Sequence, residues 1–371
     1  MPDQPSFLSG RAPAKNSPLM RYMPPLEEGV AAAWLAAELP VSPADVERPW
    51  VLDPFGVSPG IAEETARSGY RVLVAANNPV MRFLLELAAN PPDEAELRSA
   101  LADLAASYKG SERIEPHIRA LYRTNCAQCG QEVEAEAFLW DRGAHAPFAR
   151  IYRCPHCGDS GERPATEADA ARAAHFAAGG LHRARALERV APADDPDRPH
   201  AEEALSAYLP RAVYALFTLI NKLDSFSASA ASGAGRKRRL LEALLLAACD
   251  QASALWPYPT ARARPRQLSI PPRFRENNVW LALEEAIGQY AAARTGSGTP
   301  VSIWPDLPPA SGGICLFEGR LKDLKDSIQA RNAPEFQIGA VLAGLPRPNQ
   351  AFWTLSALWA GWLWGREATA P

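Results

Sequence analysis

The sequence has no long hydrophobic run: nowhere do about 20 residues pass without charge and with uniform apolarity. Its opening stretch, MPDQPSFLSGRAPAKNSPLMRYMPP, also lacks the apolar core of a secretory leader. These two absences predict a soluble, cytoplasmic protein with no membrane partner. An excess of basic charge is missing as well. Lys and Arg total 39 against 42 for Asp and Glu, a formal net charge of −3. That excludes a globally basic nucleic-acid coat but leaves room for a local basic patch. Cysteine is scarce, and four of the six fall in two CxxC pairs while two stand alone, a pattern that suits a metal site better than a disulfide framework. Internal repeats are not apparent. What is present is a chain of 371 residues, 47% hydrophobic, long enough for one large domain or two to three modules.

Read in order, residues 1–24 form an irregular arm, and Pro25 to Leu39 reads as an amphipathic helix. Trp50 to Asp53 is a short apolar strand running into a tight turn, Gly60 to Ser68 a helix, Arg71 to Ala76 a second strand, and Asn77–Asn78–Pro79 opens another helix. Strand, turn and helix alternate at the spacing of a doubly wound α/β unit. From Pro91 the character turns helical, with helices expected over Asp93 to Ser107, Ala165 to His182, Ala201 to Asn221, Arg236 to Ser253 and Asn277 to Ala293, and a flexible loop over Ser225 to Gly235. Short apolar runs of strand length return only at Gly313 to Gly319 and Ile338 to Ala343. The predicted class is therefore α/β, an incomplete doubly wound sheet interrupted by a large helical insertion. The boundaries are an arm at 1–24, a first α/β part at 25–110, a cysteine module at 122–162, a helical insertion at 163–305, and a second α/β part at 306–371.

Cys126 and Cys129 form one CxxC pair and Cys154 and Cys157 the other, each followed directly by glycine. Two such knuckles bring four thiolates into a tetrahedron around structural zinc, with Phe138–Leu139–Trp140 and Phe148 to Tyr152 as the ribbon strands. A redox dithiol and coincidence are the competing readings. His156 lies inside the loop of its own CxxC pair, and neither it nor His145 is counted as a ligand. With four cysteines filling the coordination sphere, the metal is expected to fold the module and not to catalyse.

Asp53–Pro54–Phe55–Gly56–Val57–Ser58–Pro59–Gly60 follows a strand and precedes a helix. The segment resembles the cofactor loop of amino-group DNA methyltransferases, with Asp53, Pro54, Phe55 and Ser58 matching and Val57 and Pro59 standing at glycine positions. The turn at Asn77 and Asn78 is similar to that family's second strand end, although Ala76 occupies the place of the acid that binds ribose. Late in the chain, Gly344–Leu345–Pro346–Arg347 falls where the family carries its Asp/Asn–Pro–Pro–aromatic tetrad, and only Pro346 matches. The whole is similar to large zinc-ribbon-containing bacterial DNA methylases. The resemblance implies a Rossmann-like methyltransferase sheet with two or three C-terminal strands missing. It also implies S-adenosylmethionine as the ligand of Asp53, Pro54, Phe55, Gly56, Ser58, Gly60, Asn77 and Asn78, and a degenerate catalytic centre at Gly344, Leu345, Pro346 and Arg347.

Between Trp256 and Arg275 there are five arginines, Arg262, Arg264, Arg266, Arg273 and Arg275, no acid, and prolines that keep the backbone extended. Such a strip can follow a phosphate backbone, and Arg236 to Arg239 add a second basic cluster; internal ion pairs and solvated surface are the other readings. Near the end, Phe352, Trp353, Leu355, Leu358, Trp359, Trp362, Leu363 and Trp364 crowd one segment, read either as a core helix or as an interface with a second subunit. The leading expectation is a methyltransferase-like zinc-ribbon DNA-binding subunit without methyl transfer on its own, which the resemblance would place in restriction–modification or phage defence. The alternatives are an active or split DNA amino-methyltransferase completed by a partner chain, and a protein-interaction scaffold that binds no DNA.

Overall fold

A computed structural model describes residues 8–13, 17–40, 49–177, 180–227, 234–260, 264–292, 298–331 and 336–369. The chain divides into two compact units, the first formed by Met1–Pro92 and Ala291–Pro348, the second by Asp93–Tyr290 and Asn349–Ala370. The chain leaves the first unit near Pro92 and returns at Ala291, so the inserted part begins earlier and ends earlier than the spacing of motifs predicted.

In the first unit five parallel strands lie in the order Val301–Ile303, Gly313–Phe317, Arg71–Ala75, Trp50–Asp53, Ile338–Val341. Parallel strands need both faces covered, which is why the central ones read as unbroken apolar runs. Ala62, Ala66, Leu85 and Ala89, from helices Pro59–Arg67 and Pro79–Ala89, cover Val72, Val74, Ile314 and Leu316. The opposite face packs Trp50, Leu73 and Cys315 with Leu324 and Ile328 of helix Leu321–Arg331. The order of strands reverses after Gly313–Phe317, which lies beside Arg71–Ala75: the next strand, Ile338–Val341, is added on the far side of Trp50–Asp53. The helix expected from Pro25 starts only at Val30, behind Gly29 at φ +93°, and the Glu64 carboxylate accepts from the N–H groups of Gly29 at 2.9 Å and Ala32 at 2.7 Å. Val301–Ile303 was expected to lie in the helical insertion and is instead the sheet's edge strand.

The second unit joins an antiparallel sheet to a set of helices. Glu132–Asp141 is its central strand, flanked by Ala149–Arg153 on one side and by Arg123–Asn125 and Arg273–Asn277 on the other, with Ser160–Pro164 outermost. The helices include Glu94–Ala106, which Asp93 and Glu96 start with a reciprocal capping box. The segment expected as one helix over Ala165 to His182 is two, Glu167–Ala177 and Gly180–Glu188, and that over Ala201 to Asn221 is Arg198–Ser206 and Pro210–Ser227. The expected loop from Ser225 to Gly235 shrinks, since one helix reaches Ser227 and the next, Ala234–Gln251, begins at Ala234; what lies between is outside the described residues.

The aromatic C-terminal helix, Gln350–Trp364, belongs to this second unit and not to the α/β part. Phe352, Leu355, Leu358, Trp359, Trp362 and Leu363 are buried against the unit's own helices. The Trp359 indole donates to Tyr208 Oη at 2.6 Å and the Trp362 indole to the Ala186 carbonyl at 3.0 Å. Trp353, 55% exposed, is the one large aromatic of the helix that faces water. The crowd of aromatics is thus core, and not an exposed face of the kind that marks association with a second subunit.

Buried ion pairs join sheet to helices: Arg150 of Ala149–Arg153 lies 3.6 Å from Asp169 of Glu167–Ala177, and a closer pair lies on the other side of the sheet's central strand. Glu276, on strand Arg273–Asn277, and Arg211, at the start of Pro210–Ser227, are both almost fully buried. Arg211 Nε donates to Glu276 Oε1 at 2.8 Å, its Nη2 bonds Oε2, and the Trp140 indole donates to Oε2 at 2.8 Å. The guanidinium also lies 4.3 Å from the Phe138 ring and 5.2 Å from that of Tyr122. Removing one partner strands a charge in low dielectric, so Glu276→Ala is expected to lower unfolding free energy by about 3–5 kcal/mol. Urea unfolding followed by tryptophan fluorescence checks it; a change within experimental error would mean that solvent reaches Arg211.

Candidate metal centre and the loop of the parallel sheet

The two CxxC turns are built alike. Cys126 N–H donates to the Gln131 carbonyl at 2.8 Å and Gly130 N–H to the Cys126 carbonyl at 3.0 Å; in the second turn Cys154 N–H reaches Asp159 at 2.7 Å and Gly158 N–H reaches Cys154 at 3.1 Å. Gly130 and Gly158, at φ +73° and +79°, take the left-handed conformation that closes each turn. The four sulfurs lie within 4.8 Å of one another, with Cys126 to Cys157 and Cys129 to Cys154 each 3.6 Å. A tetrahedron with metal–sulfur bonds of about 2.3 Å has edges of about 3.8 Å, so the cluster can coordinate a metal ion with little rearrangement. Cys126 and Cys154 are buried and Cys129 and Cys157 exposed.

Burial opposes ionisation of Cys126, yet the N–H groups of Cys129 and Gln128 and the Tyr152 hydroxyl bring its thiol down to about 6. The Asp159 N–H favours ionisation of Cys157, but burial and the three neighbouring sulfurs push it up to about 12. Four thiolates cannot coexist at this spacing without a cation among them. Around them, Tyr152 Oη accepts from Ala127 N–H at 2.7 Å and donates to Asp159 Oδ2 at 2.6 Å. Asp159, paired with Arg163, is held below the usual carboxylate range by these bonds. Tyr152 and Asp159 were not read from the sequence; their nearness to a ligand pair was the available signal.

The basic segment ends inside the same sheet. Arg273–Asn277 pairs antiparallel with Ala137 to Asp141, which accounts for part of the charge: Arg273 lies 2.9 Å from Asp141 and Arg275 donates to Asn277 at 3.2 Å. Arg264 and Arg266 are exposed, and Arg262 lies outside the described residues. In the second cluster, Arg236 pairs with Glu96, Lys237 with Asp103 and Arg238 with Glu242, so those cations serve helix packing.

In the first unit, Asp53 is fully buried at the end of Trp50–Asp53. Its Oδ1 accepts from Phe55 and Gly56 N–H, each at 3.0 Å, and its Oδ2 is buried with no hydrogen-bond partner. Gly56, at φ +58°, passes so near the next strand that a Cβ would meet Ala76 at 2.9 Å. Pro54 is half-buried, Phe55 and Gly60 exposed, and Ser58 buried without a side-chain capping bond. Asn77 is exposed, while Asn78 accepts from Val80 N–H at 2.9 Å and Met81 N–H at 3.2 Å, capping the helix. Gly344 packs close to Leu26, Ser58 and Val57, where a Cβ would come within 2.9 Å of Leu26, whereas Leu345, Pro346 and Arg347 are exposed. A carboxylate missed by sequence reading stands at the neighbouring strand end: Glu318, 3.5 Å from Arg82, whose Nη1 donates to the Ala76 carbonyl at 3.1 Å. Among the residues described, no helix is long and apolar enough to cross a membrane. No protein family, curated protein or solved structure matches this chain.

Two outcomes follow from these geometries. The chain is expected to take up one equivalent of zinc, which Cys126→Ser abolishes, and Tyr152→Phe is expected to weaken that binding about 10- to 100-fold, as loss of an outer-shell partner does; competition with a chromogenic chelator measures both. Burial raises the Asp53 carboxyl, with the Phe55 and Gly56 N–H groups opposing. The folded state therefore holds the Asp53 proton more tightly than the unfolded chain, and this residue's contribution to stability falls as pH rises through the ordinary carboxylate value. Asp53→Asn keeps an acceptor for the turn without the charge, so its Tm at pH 7 is expected to equal or exceed the parent's; a lower Tm would mean that the ionised carboxylate stabilises the loop.

Proposed function

We propose that the chain is a zinc-ribbon DNA-binding subunit built on a methyltransferase-like sheet, and that it transfers no methyl group by itself. The observation that carries the reading is the antiparallel pairing of Arg273–Asn277 with Glu132–Asp141, because it anchors the arginine strip in the sheet that the cysteine cluster organises. Four thiolates and no other ligand suit zinc in a closed, structural site. Zinc would order the ribbon, and the ribbon would present Arg264 and Arg266 to phosphate.

The sheet order, with Asp53 on the strand where the order of addition reverses, supports a doubly wound adenosyl-binding sheet. The residues fit S-adenosylmethionine only at one end. The orphaned Asp53 Oδ2 is an acceptor for a cationic amino group, but Ala76 offers nothing to ribose, and the Asn78 side chain is occupied in capping its helix. Gly344 has no side chain to accept from an exocyclic amine, and exposed Leu345 and Arg347 form no stacking platform. These residues do not complete a site for methyl transfer.

Duplex binding without added cofactor tests the proposal. Affinity is expected to fall steeply with salt, and Arg264→Ala with Arg266→Ala to reduce the slope of log K against log salt by about 2, near 0.9 for each phosphate no longer neutralised. Chelating the metal is expected to abolish binding together with ribbon structure. Binding that ignores both arginines, or survives complete chelation, would overturn the reading, and saturable S-adenosylmethionine binding would favour an active or split methyltransferase.

A further inference from the structure

Two of the chain's six histidines, His117 and His182, lie against Tyr214 in the second unit, and Phe176 packs on the same ring. The residues come from separate elements: Lys109 and Glu112 from the hairpin Tyr108–Lys109 with Glu112–Arg113, His117 from Ile114–Ala120, Tyr214 and Thr218 from Pro210–Ser227, and His182 from Gly180–Glu188. Glu112 Oε2 lies 2.9 Å from His117 Nδ1, and His117 Nε2 lies 2.9 Å from Tyr214 Oη. Lys109 Nζ bonds Tyr214 Oη, stands 3.2 Å from Thr218 Oγ1, and sits 4.0 Å over the Tyr214 ring.

Donor and acceptor chemistry assigns the protons of a neutral imidazole. An ionised carboxylate only accepts, so His117 carries its proton on Nδ1 toward Glu112, and Nε2 is left as an acceptor, with the phenol at 2.9 Å its nearer donor and Lys109 Nζ at 3.4 Å the farther. An ammonium only donates, so Lys109 offers its proton to the phenol oxygen. Tyr214 is thus a hydroxyl whose proton points at a base, whose base is oriented by a carboxylate, and whose oxygen faces a cation. That is the arrangement of an activated nucleophile. Burial first, and then the charges of Lys109 and Arg185, hold His182 below its ordinary range. Lys109, His117, His182 and Tyr214 are half-buried, so the group borders solvent.

We infer that Tyr214 is the nucleophile of a reactive centre separate from the metal cluster and that its substrate class is a phosphate diester. Tyr214 Oη forms the bond to phosphorus, and the ester P–O bond breaks with its electron pair on the departing oxygen. The phenol proton passes to His117 Nε2 and from there to the departing alkoxide, so no other reactant is needed. Lys109 and Thr218 lie beside Tyr214 Oη, where they can donate to the phosphoryl oxygens. Glu112 is a positioning residue that acts through His117.

The full chain is treated with an aryl sulfonyl fluoride, which forms S–O and loses fluoride at activated hydroxyls, and the adducts are mapped by mass spectrometry. Tyr108, 52% exposed and outside the network, is the internal control. Tyr214 is expected to react at least tenfold faster than Tyr108. His117→Ala is expected to remove the difference and free imidazole to restore it, while Glu112→Gln slows the reaction and Glu112→Asp retains most of it. With bis(4-nitrophenyl) phosphate, one equivalent of 4-nitrophenolate and a phosphotyrosyl adduct at Tyr214 are expected, both absent in Tyr214→Phe with an unchanged circular dichroism spectrum. Equal labelling of Tyr214 and Tyr108, or a rate indifferent to His117→Ala, would overturn the activated tyrosine. Labelling of Tyr214 without nitrophenolate release would overturn the phosphate-ester assignment.

Discussion

The second unit turns on the meeting of Glu276 with Arg211. A carboxylate on a short edge strand can be ionised in the interior only where a guanidinium and an indole N–H converge on it. That requirement fixes strand register. Along Arg273–Asn277 burial alternates, with Phe274 and Glu276 inward and the intervening residues outward. A slip of one residue would carry Arg275 or Asn277 into the pocket of Arg211. The alternation that buries the acid also turns Arg273 and Arg275 outward, so interior charge pairing sets which cations the surface displays.

The cysteine cluster acts on the same strand from the other end of the sheet. Arg123–Asn125 leads into the first knuckle and Glu132–Asp141 leaves it, while Ala149–Arg153 leads into the second and Ser160–Pro164 leaves it. Four thiols packed within 4.8 Å bring both pairs of strands to one point. Without a cation, their mutual repulsion or shared protons would loosen it. A metal bound there would have a mechanical role, joining the hairpins whose central strand supports Arg273–Asn277. Coordination by all four cysteines would leave no open position for substrate.

Legibility followed the range of the forces. The knuckles could be read because ligand spacing and the closing glycines are local, and Trp50–Asp53, Arg71–Ala75 and Gly313–Phe317 because burial on a parallel sheet leaves apolar runs; Ile338–Val341 was legible as apolar although it is an exposed edge strand. Val301–Ile303 escaped because a three-residue edge strand with a central serine has no pattern of its own and exists by pairing with Gly313–Phe317. Arg273–Asn277 escaped because Arg-Phe-Arg-Glu-Asn looks like solvated charge until Arg211, more than 60 residues earlier, is seen opposite Glu276. The C-terminal tryptophans were legible as apolar, but the sequence left a core helix and an interface both open, since the helices that cover them come from elsewhere in the chain. The network around Tyr214 left no sequence signal, as Lys109 and Tyr214 are 105 residues apart.

Asp53 shows how one side chain can serve a turn and still leave chemistry unspent. Its Oδ1 is committed to the N–H groups of Phe55 and Gly56, the minimum needed to close the turn after a buried strand. An asparagine or serine there would hold the turn without placing a second oxygen in the interior. The carboxylate instead keeps Oδ2 buried and unmatched, at a desolvation cost that raises its pKa. A residue that a neutral side chain could replace at lower cost is explained either by a ligand that matches the charge or by descent from a site that had one. Around it the loop is already committed: Val57 packs beside Gly344, and the Asn78 side chain is spent on capping its helix. Of these side chains it is Asp53 that keeps a buried polar atom unmatched, so the charge at the base of the turn is where a ligand would be felt.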